Sequence, residues 1–218
     1  MMMRKKLLYA TGNTAKLSAM QARLESLGIE VAGLQDAMKE NPDIAEQIKN
    51  LNIAEDGRTP LENAEKKALA YYQVLRTPLF SCDSGLYIEN IPEEEQPGVH
   101  VRTVHGKYLS DEEMLEHYTG FAKKYGDLKA RYQNAVCLVE DETHKYSAME
   151  ESMAGNPFYI TSKPHKDGIR KKGFPLDCIS VHIGTGKYYY DLGDDELNQV
   201  AVEDGFLTFF RKYLEKHQ

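Results

Sequence analysis

The stretch Leu7-Leu8-Tyr9-Ala10-Thr11-Gly12-Asn13-Thr14-Ala15-Lys16 constrains this chain more than any other. Four residues suited to a buried strand run into a small, polar turn. Behind the turn, Leu17, Met20, Leu24 and Leu27 recur at helical spacing until Gly28 stops the pattern. Strand, turn and helix in that order aim the helix's unpaired N–H groups and the positive end of its dipole at the turn. Gly12 lets a ligand approach the backbone, Asn13 tolerates left-handed dihedrals, and Lys16 adds a mobile positive charge one turn into the helix. These are the parts of a phosphate cradle. Spacing alone favours a plain strand-to-helix connection, because Gly-Asn-x-x-Lys is short and is not the Gly-x-x-x-x-Gly-Lys-Ser/Thr loop.

Strand and helix patterns alternate downstream. Residues 29–32 read as a short strand, and 34–52 give only a weak helical pattern. Thr59 and Glu62 spell a capping box with Pro60 at the first helical position, predicting a helix to about residue 75. On it, Glu62–Lys66 and Asn63–Lys67 each share a face. Glu55 and Asp56 ahead of the cap are candidate metal ligands, although solvated charge is the commoner use of such residues. Residues 79–82 read as a buried strand that Asp83-Ser84-Gly85 interrupts before 86–88 resume it. Two readings of Asp83 stand level: a catalytic carboxylate at the carboxyl end of a strand, and an Asx-turn in a hairpin.

Ser110 and Glu113 form a second capping box, opening a helix through about residue 125. Residues 130–139, 146–153, 158–160 and 178–182 read as strands. Gly184-Thr185-Gly186-Lys187 reads as a hairpin turn rather than a phosphate loop, since no helix follows it. Residues 206–214 form a final amphipathic helix. The mixture predicts an α/β or α+β domain built on a mixed sheet.

Charge and cysteine content narrow the partners. The 218 residues suit one large domain, or one compact body with two lobes. The net charge is −7 with lysine and arginine dispersed, which argues against duplex nucleic acid and anionic membrane. Cys82, Cys137 and Cys178 lie far apart, giving neither a disulfide framework nor zinc spacing. The basic start Met1-Met2-Met3-Arg4-Lys5-Lys6 is followed by too short an apolar run for a signal peptide, and no segment reaches membrane-span length. The expectation is a cytoplasmic protein.

Four stretches then stand in order: Thr11-Gly12-Asn13-x-x-Lys16, Glu62-Asn63-Ala64-x-x-Lys67-Ala68, Asp83-Ser84-Gly85-Leu86 and Gly173-Phe174-x-x-Asp177. Together with Pro97-Gly98-Val99 and Ala130-Arg131-Tyr132, they resemble the inosine triphosphate pyrophosphatase family, the Ham1-like enzymes, over nearly the whole chain. The resemblance implies a single domain over residues 1–218, an α/β fold with a mixed sheet, flanking helices and two lobes around a cleft, and a homodimer. It implies Mg²⁺-dependent hydrolysis of nucleoside triphosphates to a monophosphate and pyrophosphate. It assigns Thr11, Gly12, Asn13 and Lys16 to the phosphates, with Lys16 also acting in catalysis and Lys67 as a second positive charge. It makes Asp83 the metal ligand and base, with Ser84 beside it at the substrate. Glu55 would be the other metal carboxylate, and Phe174 and Asp177 would bind the base.

The chain also departs from that family. Cys82 stands where Asp-Asp-Ser-Gly has its first aspartate, and Leu176 where an aromatic residue stacks on the base. Ala19 replaces an acidic residue. The C-terminal lysine and Ser-His-Arg, which read a 6-keto purine, give way to the acidic stretch from Asp194 to Asp204, with Glu203 near its end. The phosphate half of the resemblance is retained and the base-reading half rewritten. This leaves two readings: a triphosphate pyrophosphatase with altered base preference, or a nucleotide-binding protein that has lost catalysis.

Overall fold

The computed structural model describes residues 5–170, 172–193 and 205–216, and the chain separates into two compact units. The first comprises Met1–Ser84, Asn134–Met153 and Asp204–Gln218; the second comprises Gly85–Gln133 and Ala154–Glu203. Nine strands are found among the described residues: β1 (Lys5–Tyr9), β2 (Ile29–Gly33), β3 (Leu79–Ile88), β4 (Thr103–Val104), β5 (Lys107–Tyr108), β6 (Leu128–Val139), β7 (Lys145–Ala148), β8 (Phe158–Ile160) and β9 (Ser180–His182). The helices are α1 (Thr14–Glu25), α2 (Leu34–Glu40), α3 (Pro42–Asn50), α4 (Pro60–Leu75), α5 (Asp111–Tyr125) and α6 (Gly205–Glu215). Seven strands pair in the order β2-β1-β3-β6-β8-β9 with β7 on β6, parallel on the β1 side and antiparallel beyond β6, so the sheet is mixed as expected.

In the first unit, β1 pairs in parallel with β2, Leu7 opposite Val31, and with β3, Tyr9 opposite Phe80. Consecutive residues Leu7, Leu8 and Tyr9 are all buried, the mark of a strand covered on both faces. The period of two sorts them. Leu7, Tyr9, Phe80, Val136 and Leu138 join Met20 and Leu24 of α1 and Phe210 and Tyr213 of α6. Leu8, Leu79, Ala135, Cys137 and Val139 join Ile48 of α3 and Ala64 and Ala68 of α4. Tyr9 stacks on Phe80 at 4.6 Å, and Phe80 meets Phe210 edge-on at 4.9 Å.

In the second unit, β6 and β8 pair antiparallel with Ala130 opposite Phe158. Met114 and Tyr118 of α5 bury against Leu86, Ile88, Leu128 and Ile160, together with Leu176, Cys178 and Ile179.

Several sequence expectations change. The weak 34–52 pattern is two helices, the second capped by the Asn41 side chain with Pro42 at its start. Asp83-Ser84-Gly85 do not break the strand: β3 runs unbroken for ten residues. Turn residues need their side chains to bond their own backbone, and here those side chains are used elsewhere. The expected 146–153 strand ends at Ala148, and Glu151–Met153 form a 3-10 turn. Cys178 and Ile179 likewise belong to a 3-10 turn, Pro175–Ile179. The Ser110–Glu113 capping box is complete. At Thr59 only half forms: Thr59 Oγ accepts from the Glu62 N–H, while the Glu62 carboxylate accepts from Arg58 instead. The Gly184–Lys187 hairpin turn is present, with the His182 N–H donating to the Lys187 carbonyl at 2.8 Å. All three cysteines are thiols, and no helix among the described residues is long and apolar enough to cross a membrane.

Candidate active site

The strand–turn–helix at the start of the chain forms one wall of a polar concavity in the first unit, about 460 Å³, within the usual range for small-molecule sites. Thr11, Gly12, Asn13, Lys16, Glu55, Lys67, Tyr71, Cys82 and Asp83 line it. The turn orders itself. Thr11 Oγ accepts the Asn13 N–H at 3.2 Å, and Asn13 Oδ1 accepts the Lys16 N–H at 3.1 Å. Asn13 is therefore the N-cap of α1. Neither Gly12 nor Asn13 has a positive φ, so left-handed geometry is not what these residues supply. Open space surrounds the position a Gly12 side chain would occupy, which leaves the backbone approachable.

Asp83 and Lys67 meet because a strand and a helix are locked in register. Ser81, two residues before Asp83 and so on the same face, donates its hydroxyl to the Ala64 carbonyl at 2.7 Å. Lys67 lies three residues along α4 from Ala64, on the same helical face. Its ammonium reaches Asp83 Oδ1 at 2.9 Å and Glu55 Oε1 at 3.4 Å. The Lys67 and Asp83 side chains are only 13% and 12% exposed, while Glu55 is 58% exposed. A second lock brings Glu55 in: buried Asn63 accepts the Gly57 N–H at 2.8 Å. A side chain at Gly57 would fall 2.5 Å from that same Asn63 oxygen, so only glycine fits. Asp56 turns away to pair with Lys66, and it does not line the pocket.

Ser84, expected at the substrate, is not among the residues lining this pocket. Its hydroxyl donates to Asn134 Oδ1 at 2.7 Å, and Asn134 Nδ2 donates to the Met153 carbonyl at 2.7 Å. Burial pushes the Cys82 thiol up to about 12, which leaves it protonated and poorly nucleophilic at neutral pH. Burial raises Tyr9 as well. Tyr71 lines the pocket without having been singled out from sequence; its place four residues beyond Lys67 on α4 is the signal that would have found it.

Phe174 and Asp177 belong to the second unit, where both are half-buried. Asp177 adds to the burial that raises Tyr132. Leu176, expected where the family stacks an aromatic residue, is 4% exposed and packs into that unit's core. The 3-10 turn points it inward, so it leaves no surface for a ligand to stack on. The acidic stretch from Asp194 to Asp204 lies outside the described residues.

A mixed α/β fold whose first strand feeds a capped helix, beside a lysine–aspartate pair, is an architecture suited to phosphate esters and anhydrides. The chain belongs to the Ham1 family, whose model matches residues 7–202. It is 27% identical over 213 residues to the dITP/XTP pyrophosphatase of Treponema denticola, covering 96% of this chain and 98% of that one. To the dITP/XTP pyrophosphatase of Bacillus subtilis it is 28% identical over 219 residues, covering 99% of this chain and all of the other. The fold matches the Ham1 protein of Staphylococcus aureus with a TM-score of 0.69 at 19% identity, over 98% of this chain and 100% of that one. A HAM1 protein from Coxiella burnetii matches equally well, at 0.69 and 23%, over 97% and 99%.

Proposed function

We propose that the protein is a nucleoside triphosphate pyrophosphatase that cleaves between the α- and β-phosphates. The observation that carries this reading is the Lys67–Asp83 pair, 2.9 Å apart in the pocket that the Thr11–Lys16 turn lines. The near full-length relatives named as dITP/XTP pyrophosphatases support the same reaction.

In this reading the N-terminus of α1, Thr11, Gly12, Asn13 and Lys16 receive the phosphates, and Lys67 adds positive charge where charge develops on the phosphate oxygens. Asp83 orients a water and takes its proton. The water oxygen bonds to the α-phosphorus, the bridging oxygen departs with pyrophosphate, and the monophosphate remains. Ser84 positions Asp83 by tying its strand to Asn134.

The donor set suits a hard cation. Asp83 and Glu55 offer only oxygens, and Mg²⁺ is commonly held by one or two carboxylates plus substrate phosphates. Among the described residues no three His, Cys, Asp or Glu side chains converge as a metal cage. The pocket therefore fits a Mg²⁺ held jointly with the triphosphate, which would draw charge from the phosphate oxygens. Phe174 and Asp177 are assigned to the base. The single-domain organisation, a homodimeric assembly and a cytoplasmic location belong to the same proposal.

Base selection in this reading is relaxed. A site built to hydrogen-bond a keto oxygen rejects its analogues strongly, because buried donors would be left unpaired. With Ser-His-Arg replaced by an acidic stretch, that lever is gone. The test is pyrophosphate release from inosine, xanthosine, deoxyinosine and adenosine triphosphates, with Mg²⁺ and with chelator. Turnover with Mg²⁺ is expected, with kcat/KM for inosine over adenosine well under about a hundredfold, or about 2.7 kcal/mol. A larger ratio overturns the relaxed selection and keeps the activity. Tight binding without turnover of any nucleotide would make this the inactive binding protein that the loss of Ser-His-Arg also suggests.

A further inference from the structure

An ion pair with no part in the phosphate chemistry places the segment from Gly173 to Asp177. Arg102 Nη1 donates to Asp111 Oδ1 at 2.7 Å and to the Leu109 carbonyl at 3.2 Å. Its Nη2 donates to the Gly173 carbonyl at 3.3 Å. The other carboxylate oxygen, Asp111 Oδ2, accepts the Gly173 N–H at 2.7 Å. One ion pair thus holds both backbone polar groups of a single residue. The two side chains are 22% and 15% exposed, sheltered enough for the pair to be weakly screened.

The pair is itself anchored. Asp111 is the first residue of α5, just inside the complete Ser110–Glu113 capping box, where a carboxylate also meets the positive end of the helix dipole. The Gly173 N–H, aided by Arg102, holds the Asp111 carboxyl below the usual carboxylate range. Gly173 has φ +84°, so its backbone takes a shape that a side chain would strain.

The chain beyond Gly173 is held from the other side. The Asp177 N–H donates to the Phe174 carbonyl, closing the 3-10 turn, and Leu176, Cys178 and Ile179 are buried. The segment is gripped upstream by the ion pair and downstream by the core. Phe174 and Asp177 are the half-buried residues between the two grips.

We infer that Arg102 and Asp111 are positioning residues for base specificity, holding Phe174 and Asp177 where the nucleobase is received. This rests on the reading of those two residues as base-binding. The guanidinium matters as a planar fork, since two of its nitrogens serve three acceptors on Asp111, Leu109 and Gly173. A lysine keeps the charge and loses the fork.

The test uses full-length Arg102→Lys and Asp111→Asn, with urea unfolding to verify that each variant folds. Inosine and adenosine triphosphates are assayed with Mg²⁺. Inorganic tripolyphosphate, which carries phosphates and no base, is measured as a competitive inhibitor. Calorimetry with the same three ligands reads the effect without turnover. In both variants KM or Kd for the nucleotides rises about tenfold, kcat stays within about threefold, and the inosine-to-adenosine ratio changes. Tripolyphosphate affinity stays within about twofold. Unchanged nucleotide affinity overturns the inference. So does an equal loss for nucleotide and tripolyphosphate, which would mark general loosening. A wild type that binds tripolyphosphate no more weakly than nucleotides, with no turnover, overturns the base-binding and pyrophosphatase readings themselves.

Discussion

The Lys67–Asp83 pocket and the Phe174–Asp177 segment are held in place by opposite means. Asp83 sits in the middle of a ten-residue strand, and Lys67 at the midpoint of a sixteen-residue helix. The Ser81–Ala64 hydrogen bond and a shared core fix their register. Asp177 sits on a short 3-10 turn that begins just after Phe174, and one ion pair grips Gly173, the residue before Phe174. Charge chemistry needs fixed distances, and long packed elements supply them. Base recognition, in the proposed reading, rests on a short segment held upstream by one ion pair and downstream by the buried Leu176, Cys178 and Ile179. The family resemblance divides in a similar way: Thr11, Asn13, Lys16, Lys67 and Asp83 keep the residue types of the resemblance while Cys82 departs from them, and the Ser-His-Arg proposed to read the base is absent.

That contrast can be broken in graded ways. The largest expected effect is from Asp83→Asn, which keeps the shape and removes the charge. It should lower kcat by about a thousandfold, with the fold retained because Lys67 keeps Glu55 as a partner. Circular dichroism and pyrophosphate release check this, and wild-type turnover would place the chemistry elsewhere.

Lys67→Gln comes next. Loss of one electrostatic donor should cost about a hundredfold in kcat/KM, and tripolyphosphate affinity should fall along with nucleotide affinity. That parallel loss is the reverse of the pattern expected at Arg102 and Asp111, so the two regions are told apart by one inhibitor.

Ser84→Ala is the smallest of the three. If the hydroxyl only ties β3 to Asn134, stability falls by about 1 kcal/mol in urea unfolding and nucleotide KM stays within about twofold. A tenfold rise in KM without loss of stability would return Ser84 to the substrate.

Much of this was legible in the residues. The first strand, the α1 cap region, the Pro60 helix and its end at Leu75, and the Ser110 box are local patterns, and local patterns are set by neighbours along the chain. Asp83 shows the limit. Asp-Ser-Gly is good turn chemistry, and nothing in the residues beside it says otherwise. The turn is lost because distant groups take the side chains, Lys67 from α4 and Asn134 from β6. Asn13 shows a subtler limit: its place in the turn was readable, but its use as a cap and not as a left-handed hinge was a matter of backbone geometry.

By itself, then, the sequence determined which residues could carry charge to a site beside the first strand, and the periodicities that put them on strands and helices. Tertiary structure decided which of them meet. It set Lys67 against both Asp83 and Glu55, turned Asp56 away to Lys66, sent Leu176 into the core, and gave Arg102 and Asp111 hold of Gly173. Lys67 and Asp83 are 16 positions apart, and Arg102 and Gly173 are 71 apart. Their meeting depends on strand register and helix packing, which no local pattern contains.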